Sequence, residues 1–231
     1  MTIQMKTVFA VPMHCEGCTD DIKGALQPVD GVNNIKFDLE NQLVYIEGSA
    51  PPSTIVNAIQ GTGRDAIVRG SGEPNSSAVS ILETFEPDKI GSPVRGLARL
   101  VKVSSTNTLV DLTLSGLRPL GTYYASIRTA GDISRGALST GSPYKCLGPI
   151  DVDKEGSGQT FLIKDNLPIY EVIGRSLVVG QDKDCVRMFE SDVVGVIARS
   201  AGVWQNEKTV CSCSGKTVWE ERKDARSKGI A

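Results

Sequence analysis

The chain has 231 residues, of which 40% are hydrophobic and 23% charged, and a formal net charge of −2, a profile of a folded globular chain rather than a disordered one. That charge provides no basic footprint for nucleic acid, no apolar run reaches the roughly eighteen residues of a membrane span, and the stretch 7–13 is too short to be expected as a secretory signal. His14 is the only histidine, so a zinc, copper or catalytic site built from imidazoles is all but excluded, and metal chemistry has to run on sulfur.

In chain order, residues 5–70 read as a βαββαβ unit. Residues 5–11 form a short apolar strand, and 19–26 a helix with Ile22, Ala25 and Leu26 on one face. Residues 28–31 are a turn, and 34–39 and 43–47 alternate as strands joined by a tight turn at 40–42. Ser53 is expected to cap a second helix with Ile55, Val56 and Ile59 inward, ended by Gly61 or Gly63. Residues 65–69 make the last strand, completing a ferredoxin-like arrangement of two helices on a four-stranded antiparallel sheet. The Gly-, Ser- and Pro-bearing stretch 70–77 reads as a flexible linker, with the boundary at 71–77. Residues 78–200 hold many short β-rich segments divided by Gly, Pro and Asn, which predicts an all-β sandwich or barrel. Residues 201–231 are too few to bury a core, so this segment is expected to be irregular and either docked or mobile.

Six cysteines punctuate this frame: Cys15, Cys18, Cys146, Cys185, Cys211 and Cys213. The Cys15-Glu16-Gly17-Cys18 pair lies between a predicted strand and a predicted helix. Thiolates are soft ligands that select Cu(I), and two satisfy its low coordination number. A helix N-terminus also favours the anionic thiolate of Cys18. Met13 is expected to pack beneath the loop rather than to ligate, and His14 to be exposed and incidental. Cys-x-x-Cys by itself also serves redox sites and zinc ribbons. The run Met13-His14-Cys15-Glu16-Gly17-Cys18 inside a βαββαβ unit resembles the small copper chaperones and the metal-binding domains of copper-transporting ATPases. In those proteins a cation often stands beside the metal. Here Arg64 occupies that loop, where it would offset the charge of a bis-thiolate complex or simply be solvated.

Several later segments resemble Cu,Zn superoxide dismutase: residues 94–98, Gly131-Asp132, 172–179 and 195–198. The resemblance implies a Greek-key barrel over 78–200. It also implies that the positions of three copper-binding histidines fall on Ser126, Arg128 and Gly180, and those of the intrasubunit disulfide on Ala137 and Val194. The bridging and zinc histidines of the loop near 141–149 are missing too. Without imidazoles this domain is not expected to be an active dismutase. The remaining use of such a fold is its dimer face, which a look-alike subunit can present to a partner. The resemblance places Ile173, Gly174, Gly195 and Val196 in that face, and Tyr170, Arg175 and Arg199 are expected near it.

Cys211-Ser212-Cys213 is a close pair that can chelate Cu(I) or form a small disulfide ring. Its surroundings, Ala201-Gly202-Val203-Trp204 before it and Ser214-Gly215-Lys216-Thr217-Val218-Trp219-Glu220-Glu221 after it, resemble the C-terminal segment of the superoxide dismutase copper chaperone family in a fungal form. The resemblance runs through nearly the whole chain in three blocks. It implies a metallochaperone, expected in the cytoplasm with the mitochondrial intermembrane space and nucleus as further compartments, that holds Cu(I) at Cys15 and Cys18, docks immature dismutase as a heterodimer, and uses Cys211 and Cys213 to deliver copper and form the target's disulfide. A homodimer is a further expected assembly, and zinc is not expected. The competing readings are a dithiol–disulfide oxidoreductase with incidental copper, and a structural zinc site joining Cys15, Cys18, Cys211 and Cys213. Cys146 and Cys185 fall in predicted loops, as free thiols or a lineage-specific pair.

Overall fold

The computed structural model describes residues 4–86, 94–206, 209–210 and 214–227. The first unit comprises β1 (Met5–Ala10), α1 (Glu16–Leu26), β2 (Val32–Asp38), β3 (Leu43–Gly48), α2 (Pro52–Gln60) and β4 (Ile67–Ser71). Its four strands pair antiparallel in the order β2-β3-β1-β4, as expected for a ferredoxin-like unit. Ile22 and Leu26 from α1, Ile55 and Ile59 from α2, and Phe9, Val44 and Ile46 from the sheet are buried together. The second face of the sheet is covered as well, because Val8, Ala10, Leu43 and Tyr45 line a groove closed by Trp204, Val218 and Trp219 from the C-terminal segment. Tyr45 and Trp204 stack with ring centroids 4.9 Å apart. Covering on both faces explains why β1 is buried almost throughout instead of alternating.

The second unit comprises β5 (Ser77–Glu83), β6 (Val94–Lys102), β7 (Asn107–Leu114), β8 (Gly121–Arg128), β9 (Ser134–Ala137), β10 (Pro143–Val152), β11 (Gly158–Asp165), α3 (Ile169–Val172), β12 (Ser176–Gly180), β13 (Val193–Val196) and β14 (Ala198–Arg199). The sheet runs β10-β8-β12-β13-β5-β6-β7-β11, with β14 on β5. β10 and β11 lie side by side and almost close it into a barrel. The interior is filled by Leu82, Leu100, Leu112, Ile127, Leu147, Leu177 and their neighbours. Finally, α4 (Val218–Ser227) adds a helix to a segment that was expected to be irregular.

Three local expectations change. Ser53 does not cap α2: the cap position is Pro51, and the helix starts at Pro52. Ser53 instead turns to the barrel, where its backbone N–H donates to Asp111 Oδ2 at 2.9 Å and its hydroxyl donates to Asp111 Oδ1. A carboxylate from β7 therefore takes over the orphan donors at the start of a helix in the other unit. Asp111 is 0% exposed. Burial pushes its carboxyl up, opposed by Ser53 and by Arg99, whose Nη1 lies 3.9 Å from Oδ2. Gln159 of β11 extends the junction, donating to Ser53 Oγ and accepting from Asn57, each at 2.8 Å.

The stretch expected to be a linker is largely structured. Ser71 ends β4, Ser77 opens β5, and the turn between them is tied to the C-terminal segment through Val203 N–H to Gly72 O at 2.9 Å. Gly70 is required where the two segments meet, since a Cβ there would stand 2.3 Å from the Gly202 carbonyl oxygen. Finally, residues 143–152 form a ten-residue strand rather than a loop, with two register slips that accommodate Pro143, Pro149 and Gly148.

Candidate functional site

The first thiol pair sits where a strand gives way to a helix. β1 ends at Ala10, Val11 and Met13 dive into the core, and Cys15 takes an extended conformation at the N-cap of α1. Met13 is 1% exposed, a packed anchor beneath the loop. The geometry then brings Cys15 Sγ and Cys18 Sγ to 3.7 Å. Cys15 is exposed, while Cys18 is half-buried against the unit's core. Two convergent sulfurs at an exposed rim are suited to a soft, low-coordinate ion that has to enter and leave.

The Cys18 thiol is lowered from an ordinary value of 9.0 to about 6 by the backbone of His14, then by Arg64, then by the Cys15 backbone and thiol, against a smaller opposing effect of burial. Arg64 is thus placed at the thiol pair. It is held there by Asp21, one turn beyond Cys18 on α1, with Nη2 to Oδ2 at 2.9 Å. His14 is exposed. Asp21 was missed by the motif reading, although its position three residues after Cys18 on a helix places it on the same face. The next residue, Asp65, accepts from Gln60 at 3.1 Å and meets Arg222 of α4 at 3.4 Å, so the C-terminal helix is anchored beside the metal loop.

In the barrel, the positions that the dismutase resemblance assigns to copper ligands are filled by other chemistry. Ser126 and Arg128 lie on β8 and are 1% and 2% exposed. The Arg128 guanidinium donates to the carbonyls of Cys185 at 2.7 Å and Gly141 at 2.6 Å. Gly180 is backed by Asp192: a Cβ there would stand 2.3 to 2.6 Å from its carboxylate atoms, so a histidine cannot be accommodated without displacing it. Burial pushes Asp192 up to about 6 despite Arg128 nearby. Ala137 and Val194 pack with Val178 in a small apolar cluster. Among the described residues no group of three or more His, Cys, Asp and Glu could hold a metal ion.

One side of the barrel carries an ordered polar–aromatic cluster. Arg175 lies 4.1 Å from the centre of the Tyr144 ring, donates through Nε to the Glu171 carbonyl at 2.8 Å and through Nη1 to the Thr129 carbonyl at 2.9 Å. The Tyr144 hydroxyl donates to Glu171 Oε2 at 2.7 Å. Tyr170 is 72% exposed and Val196 37% exposed, Gly174 is open, and Ile173 is half-buried. One expected member, Gly195, is not presented at this surface. Gly195 is buried, because β13 lies so close to β5 that a Cβ would stand 1.9 Å from the Ile81 carbonyl oxygen. Arg199 is exposed and reaches Asn75 at 3.4 Å. Tyr144 and Glu171 were missed, since 141–149 read as loop and neither residue sits in a motif.

Cys211 and Cys213 lie outside the described residues. Val210 and Thr217 form an isolated antiparallel bridge, and Thr217 donates both its N–H and its hydroxyl to Glu220 Oε2 at the start of α4.

The heavy-metal-associated domain family matches residues 7–65, the segment that contains both thiols of the loop and Arg64. Along its whole length the chain is 49% identical to a protein of Debaryomyces hansenii named superoxide dismutase 1 copper chaperone, covering 100% of this chain and 99% of that one. The protein of the same name from Saccharomyces cerevisiae is 47% identical, with 97% of each chain covered. The copper chaperone for superoxide dismutase of Mus musculus is 34% identical over 93% of this chain and 88% of its own.

Proposed function

The chain belongs to the family of copper chaperones for superoxide dismutase, and on that premise we propose that it carries Cu(I) on Cys15 and Cys18 and hands it to a dismutase subunit docked on its barrel. The observation that carries this reading is the exposed sulfur pair at 3.7 Å with the Cys18 thiol held at about 6. At neutral pH that thiol is deprotonated without help from the metal, so Cu(I) does not have to displace its proton. Arg64 offsets the negative charge of the bis-thiolate cargo complex, and Asp21 keeps Arg64 in place.

Docking falls to the face around Tyr170, Ile173, Gly174, Arg175 and Val196, with Tyr144 and Glu171 holding Arg175 in one orientation. The partner is an immature dismutase subunit in a heterodimer; a second copy of this chain is the alternative occupant of the same face. Gly195 contributes packing rather than contact, and the exposed Arg199 lies at the edge of the same face. Arg128 and Asp192 keep the barrel from taking the copper itself, so the ion passes between sulfurs. Cys211 and Cys213 act at the target. Thiolate exchange through a shared three-coordinate ion moves Cu(I) without releasing it to water, and docking raises the local concentration of the acceptor. For the disulfide step, an oxidised Cys211–Cys213 pair exchanges with the target's dithiol: the target's two thiols are oxidised, and Cys211 and Cys213 take up the two electrons and two protons.

The test mixes the full chain with a copper-free, disulfide-reduced dismutase and measures association by sedimentation. A one-to-one complex is expected, lost on Tyr170→Ala with Arg175→Glu. Activation of the target should disappear in Cys211→Ser with Cys213→Ser while the complex persists. Absence of any complex would refute docking, and full activation by the cysteine double variant would refute the role of the tail.

A further inference from the structure

Cys146 and Cys185 are used neither by the metal loop nor by the tail, and the fold joins them. They are 39 positions apart in sequence, with Cα atoms 5.9 Å apart, and they form a disulfide. The bond ties β10 to the connection 181–192 between β12 and β13. Both sulfurs lie over the Ala125 carbonyl of β8, at 3.9 and 4.0 Å. Their surroundings differ: Cys146 is exposed and Cys185 is 2% exposed. An incoming thiolate therefore reaches Cys146 Sγ and not Cys185 Sγ, which marks the attacked sulfur and the leaving one.

The bond is placed where the backbone is irregular. The register of β10 on β8 slips between Pro143 and Lys145 and again between Cys146 and Gly148, so Cys146 lies between two bulges. Two residues before it stands Tyr144, whose ring and hydroxyl hold Arg175 and Glu171 in the docking face. At the other end, the connection is built from local turns. Asp182 accepts the backbone N–H groups of Val186 and Arg187 at 2.8 Å each, and the Cys185 N–H meets the Asp182 carbonyl at 3.0 Å. Val186 and Phe189 are left exposed. Arg128 of β8 donates to the Cys185 carbonyl at 2.7 Å. The disulfide is the covalent fastening between this connection and the strand that carries Tyr144.

We propose that Cys146–Cys185 is a reversible lock: closed, it fastens the 181–192 connection to β10 and holds Tyr144 in the docking face; open, it loosens both and weakens docking. This regulation rests on the docking reading above. Opening takes a dithiol reductant. Its thiolate attacks Cys146 Sγ, the Cys146–Cys185 bond breaks, and Cys185 Sγ leaves as a thiolate that takes a proton. The reductant's second thiol then resolves the mixed disulfide, so the reductant ends as a disulfide and the pair as two thiols. Closing runs the same exchange in reverse against a small-molecule disulfide. Ordering a docking surface before the encounter lowers the cost of binding, which sets the direction of the effect.

The experiment uses the full chain equilibrated with a small-molecule thiol and its disulfide at fixed ratios, with the open fraction read by alkylation and mass. Amide exchange is followed at 143–147 and 181–192, and affinity is measured for a copper-free dismutase in one non-reducing buffer, wild type against Cys146→Ser with Cys185→Ser. The pair is expected to open and close as a unit. Opening should raise exchange severalfold in both segments, lower the melting midpoint by on the order of 5 °C and weaken docking about fivefold. The lock is overturned if the pair never closes, or if exchange in both segments is the same open and closed. Docking that is intact and indifferent to the pair removes its regulatory role and leaves the docking reading standing. Exchange that follows the disulfide while neither form docks removes the docking reading and leaves the lock.

Discussion

Two arginines in this chain stand where a metal is at issue, and they do opposite things. Arg64 stands beside the Cys15–Cys18 pair, held in place by Asp21, and its charge stabilises a thiolate that is lowered to about 6. Arg128 stands on the outer face of β8 beneath the 181–192 connection, 2% exposed, and its two terminal nitrogens donate to the Cys185 and Gly141 carbonyls. Near it, Asp192 is raised to about 6, because burial outweighs the attraction of the cation. A cation at the rim of a site prepares it for a positive guest by making the ligands anionic. A cation within the cleft takes the guest's place. Solvent access decides which occurs, since the rim leaves room for the ion while the buried cleft is filled by side chains.

The largest effect that breaks this comparison is expected from Cys15→Ser with Cys18→Ser, which should remove the ion held in the first unit altogether, read as a drop in bound Cu(I) under a competing chelator. Arg128→Met should come next. It leaves the buried Cys185 carbonyl and the Gly141 carbonyl without their donor and should cost about 2–4 kcal/mol in urea unfolding. It should create no copper site, because Gly180 still has no room for a ligand.

Arg64→Met sharpens the comparison at the rim. The Cys18 midpoint should rise from about 6 toward the usual thiol range, weakening Cu(I) binding at pH 7 by about tenfold for each unit that the midpoint climbs above the working pH. Slower alkylation of Cys18 at pH 7, recovered at pH 9, is the measurement. The wild type should itself lose Cu(I) affinity as pH falls below about 6, where the Cys18 thiolate protonates.

The smallest effect belongs to Asp192→Asn. The folded carboxyl is raised from 3.8 to about 6, so the folded state holds a proton that the unfolded state has released. Stability from this group is therefore present at acid pH and lost as pH rises through that window. The amide should flatten the urea midpoint between about pH 4 and 6, and an unchanged slope there would place the carboxyl's influence elsewhere.

Much of the candidate site was legible because its signals are local. Cys15, Cys18 and Met13 fall within six residues, and the strand–loop–helix context follows from apolar periodicity around them. Residues without such signals were not legible. Asp21 and Arg64 are 43 positions apart, and nothing in either neighbourhood announces the other. Tyr144 lay in a stretch whose prolines and glycine read as loop, because bulges that let a strand absorb such residues leave no periodic trace. Ser53 looked like a helix cap by type and position, and its partner proved to be Asp111, supplied by another domain. The pairing of Cys146 with Cys185 likewise needed the barrel to bring β10 and the 181–192 connection over one carbonyl.

By itself the sequence determined the order of three blocks, the close spacing of the Cys15–Cys18 pair and the absence of an imidazole site, since each depends only on which residues exist and how they are spaced. The tertiary structure decided that Arg64 stands at the thiol pair and that Arg128 is buried under the 181–192 connection. It also decided that a carboxylate of the barrel ends a helix of the first unit, and that the C-terminal segment covers the outer face of the first sheet. Those outcomes depend on burial and on contacts between distant segments, and both arise only when the chain is folded.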